Sequence, residues 1–385
     1  MKSNVQSLVD RKVGTRIAKM LHESQHHHGY LLKREIYRIA EQVGEPLNVI
    51  QDVISFFPHY RLTPPPTCSI HLCRDMTCRL RGAMDASEKL RHWKAKKDAD
   101  SPNRPSEIEF HEASCLGRCD RAPAAMINDH LFVGRLPDEL VSIADAFLND
   151  ATPIDDSDTT TANQAMDRSE IDVYRKCPPT DGSYAAVRRF ITNPAPDFVI
   201  NALETAGLVG MGGAGAPTFR KWKDARQAKS STKYVVCNAD ESEPATFKDR
   251  DLLMGAPHLI IEGMIMAALV IEAQQGFIYI RHEYIEQANA LREAIAIAER
   301  MCACGPNIFG SGKSFQLEVF TSPGGYVCGE QTALIEALEG KRSEPRNRPP
   351  ELETNGLYDQ PTVLNNVETL AWIPAILLAD RKSVV

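Results

Sequence analysis

The sequence predicts an α/β protein in which an N-terminal helical segment and a small α/β domain precede a larger domain built on a parallel sheet. Its 385 residues exceed one ordinary hydrophobic core. Apolar residues recur at helical spacing before residue 60, and short apolar runs alternate with helical patterns after residue 196. Residues 150–170 are polar, with the composition of a linker, and they separate the two parts.

The first domain is predicted to span residues 1–149. Three helices are expected before residue 60, since Ile17, Ile39 and Ile54 each belong to an apolar series at helical spacing. Pro46 fits the first position of the third helix. The elements expected next are a strand at 68–73, a helix at 83–93, a strand at 108–111 and a hairpin at 125–133.

The second domain is predicted to span residues 171–385. Its expected helices are 196–205, 218–225, 258–271, 284–301 and 329–338, and its expected strands are 233–237, 276–280 and 315–320. Strands that alternate with helices in this way predict a parallel sheet covered on both faces.

Composition narrows the function classes. The chain is 43% apolar and 25% charged, which is typical of soluble globular proteins. Its net charge of −7 gives no electrostatic reason to expect a nucleic-acid partner, since such binding usually needs a basic surface. The N-terminus lacks the apolar core of a secretory signal. The longest uncharged apolar run, 370–379, is about half of a membrane span. A cytoplasmic protein without a membrane span is therefore expected.

Four cysteines form the most informative pattern: Cys73 and Cys78 are separated by four residues, and Cys115 and Cys119 by three. Between the two pairs lie 36 residues, so two loops must converge. In a reducing compartment, clustered cysteines indicate a metal or redox site rather than disulfides. Four thiolates match the ligand set of a [2Fe–2S] or a [4Fe–4S] cluster, and the spacing leaves that choice open.

Other interpretations of the cysteines are structural zinc, whose pairs are usually two residues apart, and four unrelated core thiols. Cys68 is a possible fifth ligand, but strand alternation directs it into the core with Ile70 and Leu72. Gly117 permits a tight turn that can direct backbone N–H groups at cluster sulfurs.

Four segments of the second domain are candidate ligand sites. They are the glycine run 207–217, the polar segment 237–250 after a buried strand, the glycine loop 323–333 that opens a helix, and 362–370. Glycines allow a ligand close to the backbone, and polar groups at strand ends lie where open α/β sheets bind ligands. Each segment alone is also compatible with an ordinary turn or a solvated loop.

Taken together, these segments resemble two subunits of respiratory complex I. Residues of about 10–149 resemble its thioredoxin-like [2Fe–2S] subunit, through Cys73-Arg-Asp-Met-Thr-Cys78 and Cys115-Leu-Gly-Arg-Cys-Asp-Arg-Ala-Pro123. Residues of about 171–380 resemble its FMN- and NADH-binding subunit, through Gly212-Gly-Ala-Gly215, Asn238-Ala-Asp-Glu-Ser-Glu243, Thr246-Phe-Lys-Asp-Arg250, Cys328-Gly-Glu330 and Asn365-Asn-Val-Glu-Thr369. The fusion is similar to the beta subunit of NAD-dependent molybdenum or tungsten formate dehydrogenases and to diaphorase subunits of soluble hydrogenases.

The resemblance implies a thioredoxin-like ferredoxin domain followed by a Rossmann-like FMN-binding domain. It implies a [2Fe–2S] cluster on Cys73, Cys78, Cys115 and Cys119. The implied FMN contacts are Gly210, Gly212, Gly213, Asn238, Asp240, Glu241, Ser242, Tyr326, Gly329, Glu330, Asn365 and Asn366. Lys221 and Glu243 are the implied catalytic contacts to the nicotinamide nucleotide, NAD(H).

The implied function is that of a flavo-iron–sulfur electron-transfer subunit with NAD(H):acceptor oxidoreductase activity. Partner subunits of a formate dehydrogenase, a hydrogenase or a complex I-like enzyme would supply the second active site. The chain departs from the family where NADH would stack, with Val209, Met211, Ala216, Gln331 and Glu351 in place of the usual residues. The family's C-terminal [4Fe–4S] domain does not follow Asn365-Asn366, so either the chain is truncated or the flavin's electron exit is lost or lies elsewhere. The alternative function is an assembly or relay subunit that retains FMN but does not use NADH.

Overall fold

The computed structural model describes residues 13–100, 107–149 and 184–379. These residues form two compact units. The cysteine unit contains the described residues from Arg61 to Asn149 together with Ser242–Phe247. The sheet unit contains the described residues up to Tyr60, from Tyr184 to Glu241 and from Lys248 onward. The predicted linker, 150–170, lies outside the described residues.

The helices and strands are as follows in chain order. Before residue 150 they are α1 (Val13–His28), α2 (Lys33–Val43), α3 (Leu47–Phe56), β1 (Cys68–Cys73), α4 (Met84–Asp100), β2 (Ile108–Ala113), β3 (Ala124–Ile127), β4 (His130–Val133) and α5 (Pro137–Leu148). After residue 183 they are α6 (Ala185–Thr192), α7 (Pro196–Thr205), α8 (Thr218–Gln227), β5 (Tyr234–Ala239), α9 (Lys248–Gly255), α10 (Pro257–Ile271), β6 (Gln275–Arg281), α11 (Ile285–Arg300), β7 (Gln316–Ser322), α12 (Gln331–Leu338), β8 (Thr362–Asn366) and α13 (Val367–Leu378). Short helical turns lie at Met76–Cys78, Arg79–Ala83, Cys119–Arg121, Ile308–Gly310, Tyr326–Gly329, Leu352–Asn355 and Leu357–Asp359.

The cysteine unit is built on a four-stranded sheet in the order β2-β1-β3-β4. Strand β1 runs parallel to β2 and antiparallel to β3, and β3 and β4 form the predicted hairpin. Its two-residue turn, Asn128 and Asp129, has positive φ at both positions, as tight hairpins require. Cys68 is fully buried in the core with Ile70 and Leu72, as strand alternation predicts.

The sheet unit contains four parallel strands in the order β7-β6-β5-β8. Alternate residues face opposite sides: Val235 and Ile278 join one core, whereas Val236 and Phe277 join the other. Residues of α6, α7, α8, α10, α11 and α13 belong to the first core, and residues of α1, α2, α3 and α12 belong to the second. The predicted parallel sheet covered on both faces is confirmed.

The N-terminal helices differ in placement from the sequence-based domain assignment. Residues 1–149 are predicted to form one domain, but Ile17, Ile39 and Ile50 pack in the same core as the strand residue Val236. Thr15 also hydrogen-bonds to the hydroxyl of Tyr358 in the sheet unit. The physical reason is that a parallel sheet must be covered on both faces, and in the C-terminal part the helices concentrate on one of them.

Four elements of the sheet unit are not predicted from sequence. Helix α6 follows a polar stretch, and α9 begins inside a polar motif. Strand β8 is five residues long and ends on two asparagines, while α13 carries Pro374 in its interior. Each of these features weakens the local signal, so packing decides these elements.

Helix α10 lies at the centre of the sheet unit, with every residue from Ile260 to Ile271 buried. A side chain at Gly263 would place its Cβ 2.2 Å from the carbonyl oxygen of Leu370, so only glycine allows this close approach of α13. Among the described residues, no single helix has the length and apolar character to cross a membrane. One pair, α9 with α10, satisfies those criteria jointly, with a bend of 94° between its members.

Glu262 on α10 makes the stability of the sheet unit depend on pH. Its carboxylate accepts hydrogen bonds from the backbone N–H groups of Ala186 and Val187, at 2.8 and 3.3 Å. Burial raises the pKa of Glu262 to about 7. Between the unfolded pKa and this value, the folded chain binds more protons than the unfolded chain, so the free energy of unfolding falls as pH rises.

We expect the Glu262→Gln chain to lose this component of the pH dependence. The wild-type chain should lose about 3 kcal/mol through this group between pH 4.5 and pH 7.5. Glutamine stays neutral and its oxygen can still accept both N–H groups. Urea unfolding of both chains at pH 5 and pH 8 measures the difference, and equal pH slopes for the two would contradict the assignment.

Candidate functional site

The predicted FMN motifs of the sheet unit meet at the carboxyl edge of the parallel sheet. Strands β5 and β8 are neighbours, and their register pairs Cys237 with Asn365 and Asn238 with Asn366. The two asparagine motifs, which are 127 positions apart in the sequence, therefore end side by side. Open α/β sheets bind ligands at this edge.

The glycine loop is held against the end of β8. A bridge between Val209 and Pro217 closes the loop, and Gly210 donates its N–H to the carbonyl of Ala216 at 2.9 Å. A Cβ at Gly212 would lie 3.2 Å from the Cβ of Asn366, so the backbone of the loop touches this asparagine. Gly213 has a φ of +106°, and a Cβ there would meet nothing within 4 Å. The loop thus presents bare backbone next to open space, which is the arrangement that a flavin would fill.

Helix α8 fixes the far end of this loop. Lys221 donates to the carbonyl oxygen of Leu364 at 3.1 Å, and the indole of Trp222 donates to the side-chain oxygen of Asn365 at 3.0 Å. The ammonium of Lys221 also donates to Gln331 at 2.9 Å, and burial lowers the pKa of Lys221. Asn365 is buried and engaged with Trp222, so it acts on the loop through α8.

The loop that precedes α12 approaches the end of β5. Asn238 donates its side-chain N–H to the carbonyl oxygen of Gly329 at 2.9 Å, and a Cβ at Gly329 would lie 3.4 Å from the backbone oxygen of Asp240. Tyr326, in the turn before Gly329, is 61% exposed.

Glu330 is the N-cap of α12. Its side chain accepts hydrogen bonds from the backbone N–H groups of Thr332 and Ala333, at 2.8 and 2.9 Å, and from Arg348 at 2.6 Å. Although burial acts to raise it, these hydrogen bonds hold the pKa of Glu330 below its usual value. The carboxylate is therefore ionised at neutral pH and keeps the start of α12 ordered.

Glu241 is buried and organises the start of α9. Its two carboxylate oxygens accept the backbone N–H groups of Asp249 and Arg250, at 2.9 and 3.1 Å, and the hydroxyl of Tyr284 at 3.1 Å. Burial, then the nearby Asp249, raises the pKa of Glu241. These partners make Glu241 a positioning residue for the helix that carries Lys248.

Lys248 is a site residue that sequence reasoning missed. It donates to Asp249 at 2.7 Å and to the side-chain oxygen of Asn366 at 3.2 Å, and it pairs with Glu368 at 3.0 Å. Asn366 in turn donates to Asp249 at 2.6 Å. The signal was present in Thr246-Phe-Lys-Asp-Arg250, but sequence spacing cannot show that this motif meets Asn366.

The four predicted cluster cysteines come together in the cysteine unit. Cys73 is within hydrogen-bonding reach of both Cys78 and Cys115, and the sulfurs of Cys115 and Cys119 are 3.3 Å apart. All four are free thiols, and three are buried whereas Cys119 is half-buried. Burial, with Cys115 beside it, raises the pKa of Cys119 to about 11, so bound iron must displace a proton from this sulfur.

Backbone N–H groups point at two of these sulfurs. Gly117 donates to the sulfur of Cys115 at 3.4 Å, as predicted, and Ala245 donates to that of Cys119 at 3.2 Å. Ala245 has a φ of +70°, an unusual backbone conformation for alanine that is held at this contact. Such N–H groups tune the potential of an iron–sulfur cluster.

Ser242 and Glu243 belong to the cysteine unit, because the segment Ser242–Phe247 clusters there. Ser242 is half-buried and Glu243 is exposed. Their predicted roles at the flavin and the nicotinamide stay predictions. Sequence alone does not indicate that a segment following the Asn-Ala-Asp-Glu motif reaches Cys119.

The residues fit both expected cofactors. Among the described residues, no three or more histidine, cysteine or acidic side chains are close enough together to bind a single metal ion. A [2Fe–2S] cluster has a different requirement, since it distributes four thiolates over two irons, and the chain of thiols from Cys78 through Cys73 and Cys115 to Cys119 meets it. For FMN, the fit is the glycine cradle beside Asn366.

Two domain families match the chain. Residues 203–375 match the Nuo51 FMN-binding domain, and residues 6–147 match the thioredoxin-like [2Fe–2S] ferredoxin. The two parts of the chain are therefore similar to these two families, and neither match covers half of the chain. Its ferredoxin-family match includes residues 13–60, whose helices pack in the sheet unit here.

Curated relatives resemble the FMN-binding part. An NADH-quinone oxidoreductase polypeptide of Escherichia coli K12 is 46% identical over 208 residues, which are 54% of this chain and 46% of the relative. The NADH-quinone oxidoreductase polypeptide of Aquifex aeolicus is 45% identical over 224 residues, or 57% of this chain and 51% of the relative. The chain thus spans about half the length of these relatives.

Solved hydrogenase structures are similar to both parts of the chain. A chain of the NAD⁺-reducing [NiFe]-hydrogenase in its H2-reduced state superposes with a TM-score of 0.80 and 30% sequence identity. The match covers 95% of this chain and 61% of the hydrogenase chain. The fold class expected from sequence, a thioredoxin-like ferredoxin domain followed by an FMN-binding α/β domain, is confirmed.

Proposed function

We propose that this chain is a flavo-iron–sulfur subunit that transfers electrons between NAD(H), FMN and a [2Fe–2S] cluster in a multisubunit oxidoreductase. The observation that carries the proposal is the convergence of the glycine loop, Asn238, Gly329 and Asn366 at one edge of the sheet. The names of the relatives, NADH-quinone oxidoreductase and NAD⁺-reducing hydrogenase, support the same chemistry.

The residues that would hold FMN are the backbone of Gly210, Gly212 and Gly213 and the polar groups of Asn238 and Asn366. When bound, FMN accepts a hydride from a nicotinamide and releases the electrons singly. Lys248 supplies a positive charge beside Asn366. Burial acts to lower the pKa of Lys248, but its acidic partners outweigh that effect, so the pKa is raised and the side chain stays charged. The protein's contribution is position and a fixed electrostatic surrounding.

The nicotinamide contacts proposed for this chain are Lys221 and Glu243. Lys221 lies after the glycine loop and is restrained by Gln331 and by β8. The partner subunits that fit this chemistry carry a hydrogen-activating or a formate-oxidising site. The similarity to the hydrogenase chain favours the first, and the motif order of this chain is also compatible with the second.

A test of the main function uses the isolated chain loaded with FMN and iron. We expect anaerobic NADH to bleach the flavin absorbance and to support ferricyanide reduction, with about two irons and one FMN bound per chain. Bound FMN that dithionite reduces and NADH does not would refute the proposal.

The alternative, an FMN-retaining relay or assembly subunit that does not use NADH, rests on two features of the site. The ammonium of Lys221 is hydrogen-bonded to the neutral side chain of Gln331, and Ala216 has no aromatic ring on which a nicotinamide could stack. Loss of one stacking contact costs about 1–3 kcal/mol by analogy with base stacking.

The double variant Ala216→Phe with Gln331→Glu separates these two functions. If the NADH site is eroded, the variant should lower the KM for NADH roughly tenfold or more, since stacking returns and Lys221 gains an ion pair. The conservative variant Ala216→Leu with Gln331→Glu controls for the aromatic ring. An unchanged KM alongside normal wild-type NADH oxidation would eliminate the alternative.

A further inference from the structure

The cysteine unit exposes three large apolar side chains next to one cluster ligand. Met76, Leu80 and Met84 are 67%, 77% and 56% exposed. Cys78 lies two residues from both Met76 and Leu80 and is itself buried. Met76 and Leu80 are one helical turn apart, so they share the exposed side of this turn, while Cys78 lies on its buried side.

Three exposed arginines lie in the same segment of the chain as these side chains. Arg79 contacts the sulfur of Met84 through its Nε at 3.2 Å, and Arg74 and Arg81 are exposed nearby in the sequence. None of the three has an acidic partner within 4 Å among the described residues. We call this surface the arginine-rimmed patch; its members are Arg74, Met76, Arg79, Leu80, Arg81 and Met84.

The charge of the patch is opposite to that of the whole chain. Residues 74–85 hold three arginines and two aspartates, a net charge of +1, whereas the chain carries −7. Asp75 receives a hydrogen bond from Ser114 at 3.4 Å, which turns it toward the loop of the second cysteine pair. The positive charges around the apolar centre therefore face solvent.

Exposed apolar residues inside a charged rim are the composition of a docking surface, and methionine adapts its shape to a partner. Electron-transfer complexes are small and short-lived, and complementary charge raises their rate of encounter. A patch that lies on the loop of a cluster ligand also gives a short path for an electron.

We propose that the arginine-rimmed patch docks an acidic, one-electron iron–sulfur carrier protein that exchanges electrons with the [2Fe–2S] cluster. One electron crosses per encounter: the carrier is reduced by one electron while the cluster is oxidised by one, and no proton or covalent bond changes. The proposal rests on the proposed function only through the presence of the cluster.

The test uses a plant-type [2Fe–2S] ferredoxin, an acidic one-electron carrier, as the probe. The cluster of the full holo chain is reduced with dithionite, excess reductant is removed, and ferredoxin reduction is followed by stopped flow at several ionic strengths. We expect the rate constant to fall with salt, and the double variant Arg79→Glu with Arg81→Glu to lower it about tenfold or more at low salt. Leu80→Gln should weaken ferredoxin binding about fivefold even at high salt.

Lys96→Glu is the matched control, because it reverses an exposed charge on α4 at a distance of about 18 Å along the helix from Met84. It should retain the wild-type rate. Basic cytochrome c, in place of ferredoxin, should react faster with the arginine variant than with the wild-type chain. The EPR signal of each variant verifies that the cluster is intact.

Equal ferredoxin rates in the wild-type chain and the arginine variant would overturn the proposal. So would a wild-type dimer in light scattering that Leu80→Gln dissociates, since the patch would then bind a second copy of the chain. Because the electron is supplied chemically, the result does not depend on NADH. Calorimetry with oxidised ferredoxin measures the binding affinity of the same variants in the absence of electron transfer.

Discussion

The Cys73→Ala chain is expected to be isolated without its iron–sulfur cluster. Cys73 lies within reach of both Cys78 and Cys115 and is 1% exposed, so no other side chain or water can replace its sulfur without rearrangement. Iron content should fall from about two atoms per chain to near zero, with loss of the visible absorption and of the EPR signal of the reduced cluster. The melting temperature of the cysteine unit should fall as well, because cluster binding contributes to folding.

Cys68→Ala provides the matched control for this prediction. Cys68 belongs to the same strand and is equally buried, but it packs in the core and its thiol faces the carbonyl of Ala144 at 3.6 Å. Its removal should leave two irons in place. An intact EPR signal in Cys73→Ala, or its loss in Cys68→Ala, would show that the ligand set is wrong.

The Gly213→Val chain is expected to bind FMN about 100-fold more weakly than the wild-type chain, equivalent to about 3 kcal/mol. A φ of +106° is open to glycine and costly for valine, and the new side chain would occupy the open space in the glycine loop. The loop would then move from its contact with Asn366. Flavin fluorescence titration of the apo chain measures the dissociation constant.

Gly312→Val controls for the backbone strain alone. Gly312 also has a positive φ, of +74°, and open space around its Cβ position, but it lies in the loop before β7. It should lose stability without a comparable loss of flavin affinity. If both variants bind FMN as the wild-type chain does, the glycine loop is not part of the flavin site.

Much of the fold follows from local sequence. The apolar periodicity of α1, α2 and α3 and the short apolar runs of β5, β6 and β7 predict these elements because each buries one side of a regular structure. Strand β8 and helix α13 are different, since two asparagines and Pro374 weaken their local signals. They form because β8 completes the sheet beside β5 and α13 packs on Gly263.

The candidate site divides in the same way. Motif order predicts the glycine loop, Asn238 and Asn366 as flavin contacts, because together these motifs resemble those of the FMN-binding family. Lys248 and Asp249 could not be assigned roles from sequence, and Glu241 was expected to contact FMN rather than to hold the start of α9. These roles depend on hydrogen bonds formed between segments that only folding brings together.

By itself, the sequence determined the spacing of the cysteine quartet and the alternation of strands and helices, because both are local properties of the chain. Its resemblance to known families then implied the two domain types and the flavin motifs. Only the tertiary structure decided that the N-terminal helices cover the parallel sheet and that Ala245 donates its N–H to Cys119. The physical reason is that burial and directed hydrogen bonds depend on which surfaces meet. At these surfaces, residues that are far apart in the chain become hydrogen-bond and packing partners, and no local sequence pattern predicts which residues will pair.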